Sequence, residues 1–206
     1  NLGVLSCARL RQKMIKKETY LTCQNPNVFE GMTSISAIIK NNISSPDTAR
    51  KIEKILYNKA KEKSKAKELT FLRQKASQLG FLIEASCENE INLYTTGNTH
   101  GGFIAFCQER KIPTLADKKD ELKPSGFYAL LDGIEDPYNF GYSVRSLYAA
   151  GVDGIILPQR NWMSVAGIVA KSSAGTSELI HLYLSEPTDA IAVMKSLNYR
   201  VVAAGI

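Results

Sequence analysis

Histidine is scarce in this chain of 206 residues, with only His100 and His181, and tryptophan is scarcer, with one. The four cysteines, Cys7, Cys23, Cys87 and Cys107, are scattered and form no C-x-x-C pair. So few imidazoles and no paired thiols argue against a metal site, zinc above all, and against a disulfide framework. Reduced thiols of a cytoplasmic protein are the expectation. Long apolar runs are missing as well: Gly154-Ile155-Ile156-Leu157 is among the longest, against about 20 residues for a bilayer span. No charged-then-apolar leader opens the sequence, which argues against secretion. There is no G-x-G-x-x-G after a strand-like run, no G-x-x-x-x-G-K-[ST] and no G-x-S-x-G, so the usual dinucleotide site, P-loop and hydrolase elbow are excluded.

Charge is present, and it is unevenly placed. The net charge is +6, yet residues from Gly126 onward carry five basic and seven acidic side chains. The first 125 residues therefore hold 21 of the 26 basic and 13 of the 20 acidic residues. Ten basic and three acidic residues fall between Arg50 and Lys75. A basic half beside a near-neutral half suggests that one part grips a polyanion and the other does something else. A solvated lysine-rich helix explains the charge equally well.

The apolar pattern divides the chain in four. Residues 1–25 have no clean period and a cluster of Arg9, Arg11, Lys13, Lys16 and Lys17. They are either a basic arm that touches nucleic acid or a non-native extension, with Met14 the natural start. Residues 26–112 read as a small α/β unit. It holds a helical pattern within 25–42, a strand centred on Ile55, a lysine-rich helix over 65–79 stopped by Gly80, a strand at 81–83, a helix at 88–94 and a strand at 102–107. The stretch KIPTLADKKDELKPSG, 111–126, lacks an apolar stripe, and its centre, 113–125, reads as a linker. From 126 to 206 strands and helices alternate: FYALLDGI, a helix near Asn139 burying Val144, Leu147 and Tyr148, Gly154–Leu157, the small-residue helix VAGIVAKSSAGT, ELIHLYLSE, a helix opened by Pro187, and YRVVAAGI. Continuous apolar strands alternating with helices imply a parallel sheet covered on both faces.

In such a sheet ligands bind beyond the carboxyl ends of the strands. EDPYNFGYSVR, 135–145, occupies that place. Pro137 fixes the turn, Asp136 or Asn139 is suited to cap the helix, and Gly141 permits a close backbone approach. Arg145 lies about 9 Å further along the helix. It reads either as a group reaching back toward the strand ends or as an arginine whose stem covers apolar surface.

The run L-D-G-I-E-D-P-Y-N-F-G-Y-S-V-R-S-L-Y-A-A-G-V-D-G-I-I-L-P resembles the first motif of the SpoU/TrmH family of RNA 2′-O-ribose methyltransferases, in the SPOUT superfamily. K-S-S-A-G-T-S-E-L-I resembles the helix and strand that follow it there. F-E-G-M-T-S-I-S-A-I-I and N-T-H-G-G-F-I-A-F resemble the small RNA-binding module often placed before that domain. The resemblance covers about residues 27 to 206 and implies an α/β, SPOUT-type, Rossmann-like core preceded by a small α/β RNA-binding domain. It further implies S-adenosylmethionine as cofactor, rRNA or tRNA as partner, a homodimer with a C-terminal knot, and Asn139 and Arg145 at the catalytic site. Phe140 and Tyr142 depart from the aliphatic and small residues more usual there, which narrows the expected pocket. The family's G-x-E-x-x-G loop and terminal S-L-N segment have no counterpart before Ile206. The core is therefore expected to be C-terminally incomplete, with its cofactor-binding residues unassigned. Glu178 and Ser196–Asn198 read as structural. Lys59, Lys61, Lys63, Lys65, Lys67, Arg73 and Lys75 are the candidates for phosphate contact, with His100 either touching RNA or packed. Two other classes fit less of the pattern: a non-catalytic RNA-binding protein on the same scaffold, and a nucleotide-using α/β enzyme unrelated to RNA.

Overall fold

The computed structural model describes residues 27–95, 99–159 and 165–204. The basic arm, 1–25, lies outside them. The upstream module is a four-stranded mixed sheet with strand order β1-β4-β2-β3. Its strands are β1 (Val28–Glu30), β2 (Ile52–Asn58), β3 (Leu82–Ser86) and β4 (Phe103–Cys107). β2 runs parallel to β3 and antiparallel to β4, which in turn pairs antiparallel with β1. Three helices, α1 (Gly31–Ser44), α2 (Ala66–Leu79) and α3 (Glu88–Leu93), complete the unit. The segment expected to be wholly helical begins instead with β1, because Val28–Glu30 pairs in register with Ile104–Phe106. Helix α2 ends at Gly80, whose φ of 79° is the left-handed conformation that stops helices.

The downstream unit is a parallel sheet of order β5-β6-β7: Tyr128–Leu130, Gly154–Leu157 and Leu182–Leu184. Helix α5 (Pro137–Ala149) connects β5 to β6, α6 (Ala166–Ser172) lies between β6 and β7, and α7 (Pro187–Ser196) follows β7. Pro187 occupies the first turn of α7, where its missing N–H costs nothing. β6 is buried throughout, as a central parallel strand should be. β5 is not: Leu130 is 37% exposed, because β5 pairs with β6 alone.

Two expectations are corrected here. Residues 113–125 are packed chain rather than a free linker. Leu115 and Leu122 are buried in a cluster with Ile156, Ala190 and Met194, and Thr114 bridges to Leu184. Leu115 opens the short helix α4 (Leu115–Lys118), capped by the Thr114 hydroxyl. Residues 199–204 form no strand, and Val201 and Val202 are exposed. The segment pairs with no strand of the β5-β6-β7 sheet, so its backbone gains no ladder bonds.

Candidate active site

The loop from Leu131 to Asp136 leaves the carboxyl end of β5. Leu131 N–H still donates to the Ile156 carbonyl at 2.9 Å, and the chain then turns at Gly133 with φ 73°. Asp136 is the helix cap: its Oδ1 accepts the Tyr138 N–H at 2.8 Å, and Pro137 occupies the first turn. Asn139 is thereby released from capping. Phe140, Gly141 and Val144 form the buried side of α5.

Gly141 has a specific reason to lack a side chain. A Cβ there would sit 1.9 Å from Ser172 Oγ and 3.0 Å from the Ser173 nitrogen, so α5 and α6 touch nearly backbone to backbone. Ser172 Oγ also lies 3.4 Å from the Pro137 carbonyl it donates to, tying the end of α6 to the start of α5.

Asn139 and Arg145 are both exposed, and neither side chain has a partner among the described residues. Six residues of helix place them about 9 Å apart along the axis and about 120° apart around it. The fold brings both to one open flank without bringing them into contact. Tyr148, expected to be inward, is 39% exposed. Sequence reasoning missed Tyr138, 48% exposed, as a companion to Tyr142, 57% exposed. The spacing 138, 142, 145 puts both rings and Arg145 on one stripe, a signal visible in the sequence.

The lysine-rich stretch lies on the turn after β2 and along α2. Lys61 pairs with Glu88 at 3.4 Å, Lys65 with Glu68 at 2.8 Å and Arg73 with Glu62 at 3.2 Å, while Lys75 donates to Gln78. Lys59, Lys63 and Lys67 have no such partner among the described residues. These exposed pairs are weak and can be exchanged for phosphate at little cost.

His100 is a correction. Its ring is buried, 1% exposed, with Nδ1 accepting the Gly102 N–H at 3.0 Å and Nε2 facing Asn92 Oδ1 at 3.0 Å. Burial, followed by nearby Lys61, holds its pKa below the usual histidine value. Both nitrogens are engaged in fixing the Gly101-Gly102 turn, so His100 shapes the module instead of meeting RNA. No group of three or more His, Cys, Asp or Glu among the described residues can hold a metal, and no helix there is long and apolar enough to cross a membrane.

The downstream unit is a parallel α/β sheet whose helix α5 carries Asn139 and Arg145 after the loop at the carboxyl end of β5, and known proteins share both sequence and fold with it. Residues 126–205 match the SpoU rRNA Methylase family. The chain is 28% identical over 159 residues to the 23S rRNA (guanosine-2′-O-)-methyltransferase RlmB of Shewanella oneidensis, covering 76% of this chain and 61% of that protein. A shorter stretch of 63 residues is 40% identical to the human mitochondrial rRNA methyltransferase 1, covering 31% of this chain and 18% of that one. The fold matches an rRNA methyltransferase from Sinorhizobium meliloti with TM-score 0.60 and 21% identity, over 89% of this chain and 66% of that one. It also matches the SpoU methyltransferase AviRb from Streptomyces viridochromogenes in complex with AdoMet, with TM-score 0.63 and 15% identity, over 87% and 67%. The match to the SpoU family thus lies in the downstream unit, and the chain spans about three-fifths of the length of the RlmB relative.

Proposed function

We propose that the protein to which this chain belongs methylates a ribose 2′-hydroxyl of rRNA or tRNA, using S-adenosylmethionine, and that it works as a homodimer in the cytoplasm. The observation that carries this reading is the pair of exposed, unpartnered polar side chains, Asn139 and Arg145, on the helix that follows the first strand-to-helix loop of the unit matching the SpoU family. Bound S-adenosylmethionine would supply an electrophilic methyl group. A guanidinium does not give up its proton at neutral pH, so Arg145 is no general base. It holds a phosphate or the ribose and stabilises negative charge developing on the 2′-oxygen. Asn139 offers both a donor and an acceptor, which suits it to orient the hydroxyl. Lys59, Lys63 and Lys67, with the loosely paired lysines around them, contact RNA phosphates without reading sequence.

The test is Arg145→Ala in the full-length protein, assayed by transfer of labelled methyl to RNA. Activity should fall about 10²–10³-fold, the usual effect of removing one charge-stabilising donor. Thermal stability should stay put, since the side chain has no partner to lose. A variant that methylates at near wild-type rate removes Arg145 from the site. A wild-type protein that binds RNA but methylates none would favour a non-catalytic RNA-binding role.

A further inference from the structure

The upstream module and the downstream unit meet along a seam of buried, directional contacts. Arg50, before β2, donates from Nε to Glu178 Oε2 at 3.3 Å, and the two side chains are only 6% and 4% exposed. The same guanidinium reaches Asn27 Oδ1 and the Gln108 carbonyl and lies 4.6 Å from the centre of the Phe29 ring. Arg110, at the exit of the module, donates to the Ser177 and Ile180 carbonyls at 2.7 and 3.0 Å. At the rim, Lys171 on α6 meets Glu30 at 2.5 Å.

Packing restricts the seam to one register. A Cβ on Gly167 would lie 2.2 Å from the Val28 carbonyl oxygen, and one on Gly175 would lie 2.7 Å from Ala37 Cβ. Ala170 of α6 is part of the module's own core cluster. The small residues of α6 therefore face two ways, Ser172 against Gly141 of the candidate site and Gly167 against the module.

We propose that Glu178 and Arg50 are positioning residues: their buried pair locks the lysine-bearing module against α6, so that RNA gripped on the module reaches Asn139 and Arg145 at a fixed span. The physical argument is the asymmetry of buried charge. Removing one member of an ion pair sealed in an interface strands the other there without a counter-charge, so either substitution works against the docked arrangement. Undocking would also release the Arg110 bonds to two carbonyls, while sliding would drive β1 or α1 into Gly167 or Gly175. The path from module to site is short and packed throughout: Val28 to Gly167, along α6 to Ser172, then to Gly141 and Pro137. The RNA part of this inference rests on the methyltransferase reading; the locked geometry does not.

The experiment uses the full-length protein carrying spin labels at positions 77 and 195, one in each unit and neither assigned to RNA contact, attached through encoded azide residues. The wild type should give one narrow distance distribution, unchanged by RNA. Glu178→Gln should broaden it, leave RNA affinity within about twofold because the phosphate contacts survive, and lower kcat on long RNA at least tenfold. A short RNA that cannot reach the module should be methylated by both proteins at equal rates. If Glu178→Gln fails to fold, Glu30→Gln with Lys171→Met loosens the rim alone and should broaden the distribution less. A wild-type distribution that is already broad, or one left narrow by the variants, overturns the lock. So does a parallel loss of rate on the short RNA. If the wild type methylates no RNA, the functional reading fails while the distance measurement still decides on the lock.

Discussion

In the upstream module the central strand β2 is paired on both sides, and Ile55, Leu56 and Tyr57 are all buried. In the downstream unit β6 is just as deeply buried, but its neighbour β5 pairs on one side only, leaving Phe127 54% and Leu130 37% exposed. The two sheets draw on the same apolar residue types, so composition does not separate them. Pairing does. A strand is protected in proportion to the edges and faces that neighbours cover, and β5 is the strand that leads into the loop before the helix carrying Asn139 and Arg145. The closed sheet behaves as a foundation and the open one as a working surface. The buried Arg50–Glu178 pair joins them.

The largest expected effect comes from breaking the closed side. Phe29 is fully buried in the module's core, and Arg50 lies over its ring. Phe29→Ala should cost about 3–5 kcal/mol, the usual range for emptying an aromatic core site. Denaturant unfolding followed by far-UV circular dichroism would measure it. Because Ala170 shares that core, the loss should appear in a single transition for both units. Two separate transitions would show that the seam does not couple them.

Much of this architecture could be read from local signals. The Asp136-Pro137 start of α5, the Gly80 stop of α2 and Pro187 at the head of α7 are short-range features, and each lies where its residues predict. What escaped was long-range. Arg50 and Glu178 are 128 residues apart, so nothing in either neighbourhood announces the pair. Glu178 reads correctly as structural, yet its task of joining two units is invisible in sequence. Residues 113–125 misled because Leu115 and Leu122 stand alone among charged neighbours, and two isolated leucines make no periodicity. Arg145, left between two readings by its core-like neighbours, is exposed on a helix covered on one side.

A middle-sized effect separates the units by pH. His100 lies in the module and His181 at the amino end of β7. Burial lowers both pKa values, aided by Lys61 at His100 and by Arg110 and Lys123 at His181. Above the unfolded value of about 6.5 both states hold neutral imidazole and stability is full. As pH falls below it, the unfolded chain takes up protons first, so stability declines until the depressed folded values are passed. At His100 a proton on Nδ1 would also displace the bond accepted from the Gly102 N–H. His100→Gln should therefore flatten part of the acid limb between pH 7 and 5, as read by urea midpoints across that range. An acid limb unchanged by this variant and by His181→Gln would assign it to carboxylates instead.

The smallest effect is expected at the open edge, and there a small number is informative. Leu130 is the last residue of β5 and more than a third exposed. Leu130→Thr keeps a good strand former and removes little buried area, so the cost should stay within about 1 kcal/mol. Denaturation of this chain at two protein concentrations a hundredfold apart would test it. A concentration-independent midpoint with a small loss means that the edge faces solvent. A large loss that grows with protein concentration means that a second copy covers β5, since association stabilises only what it buries. In that case the contrast between the two sheets belongs to the isolated chain, and the working surface is completed by assembly.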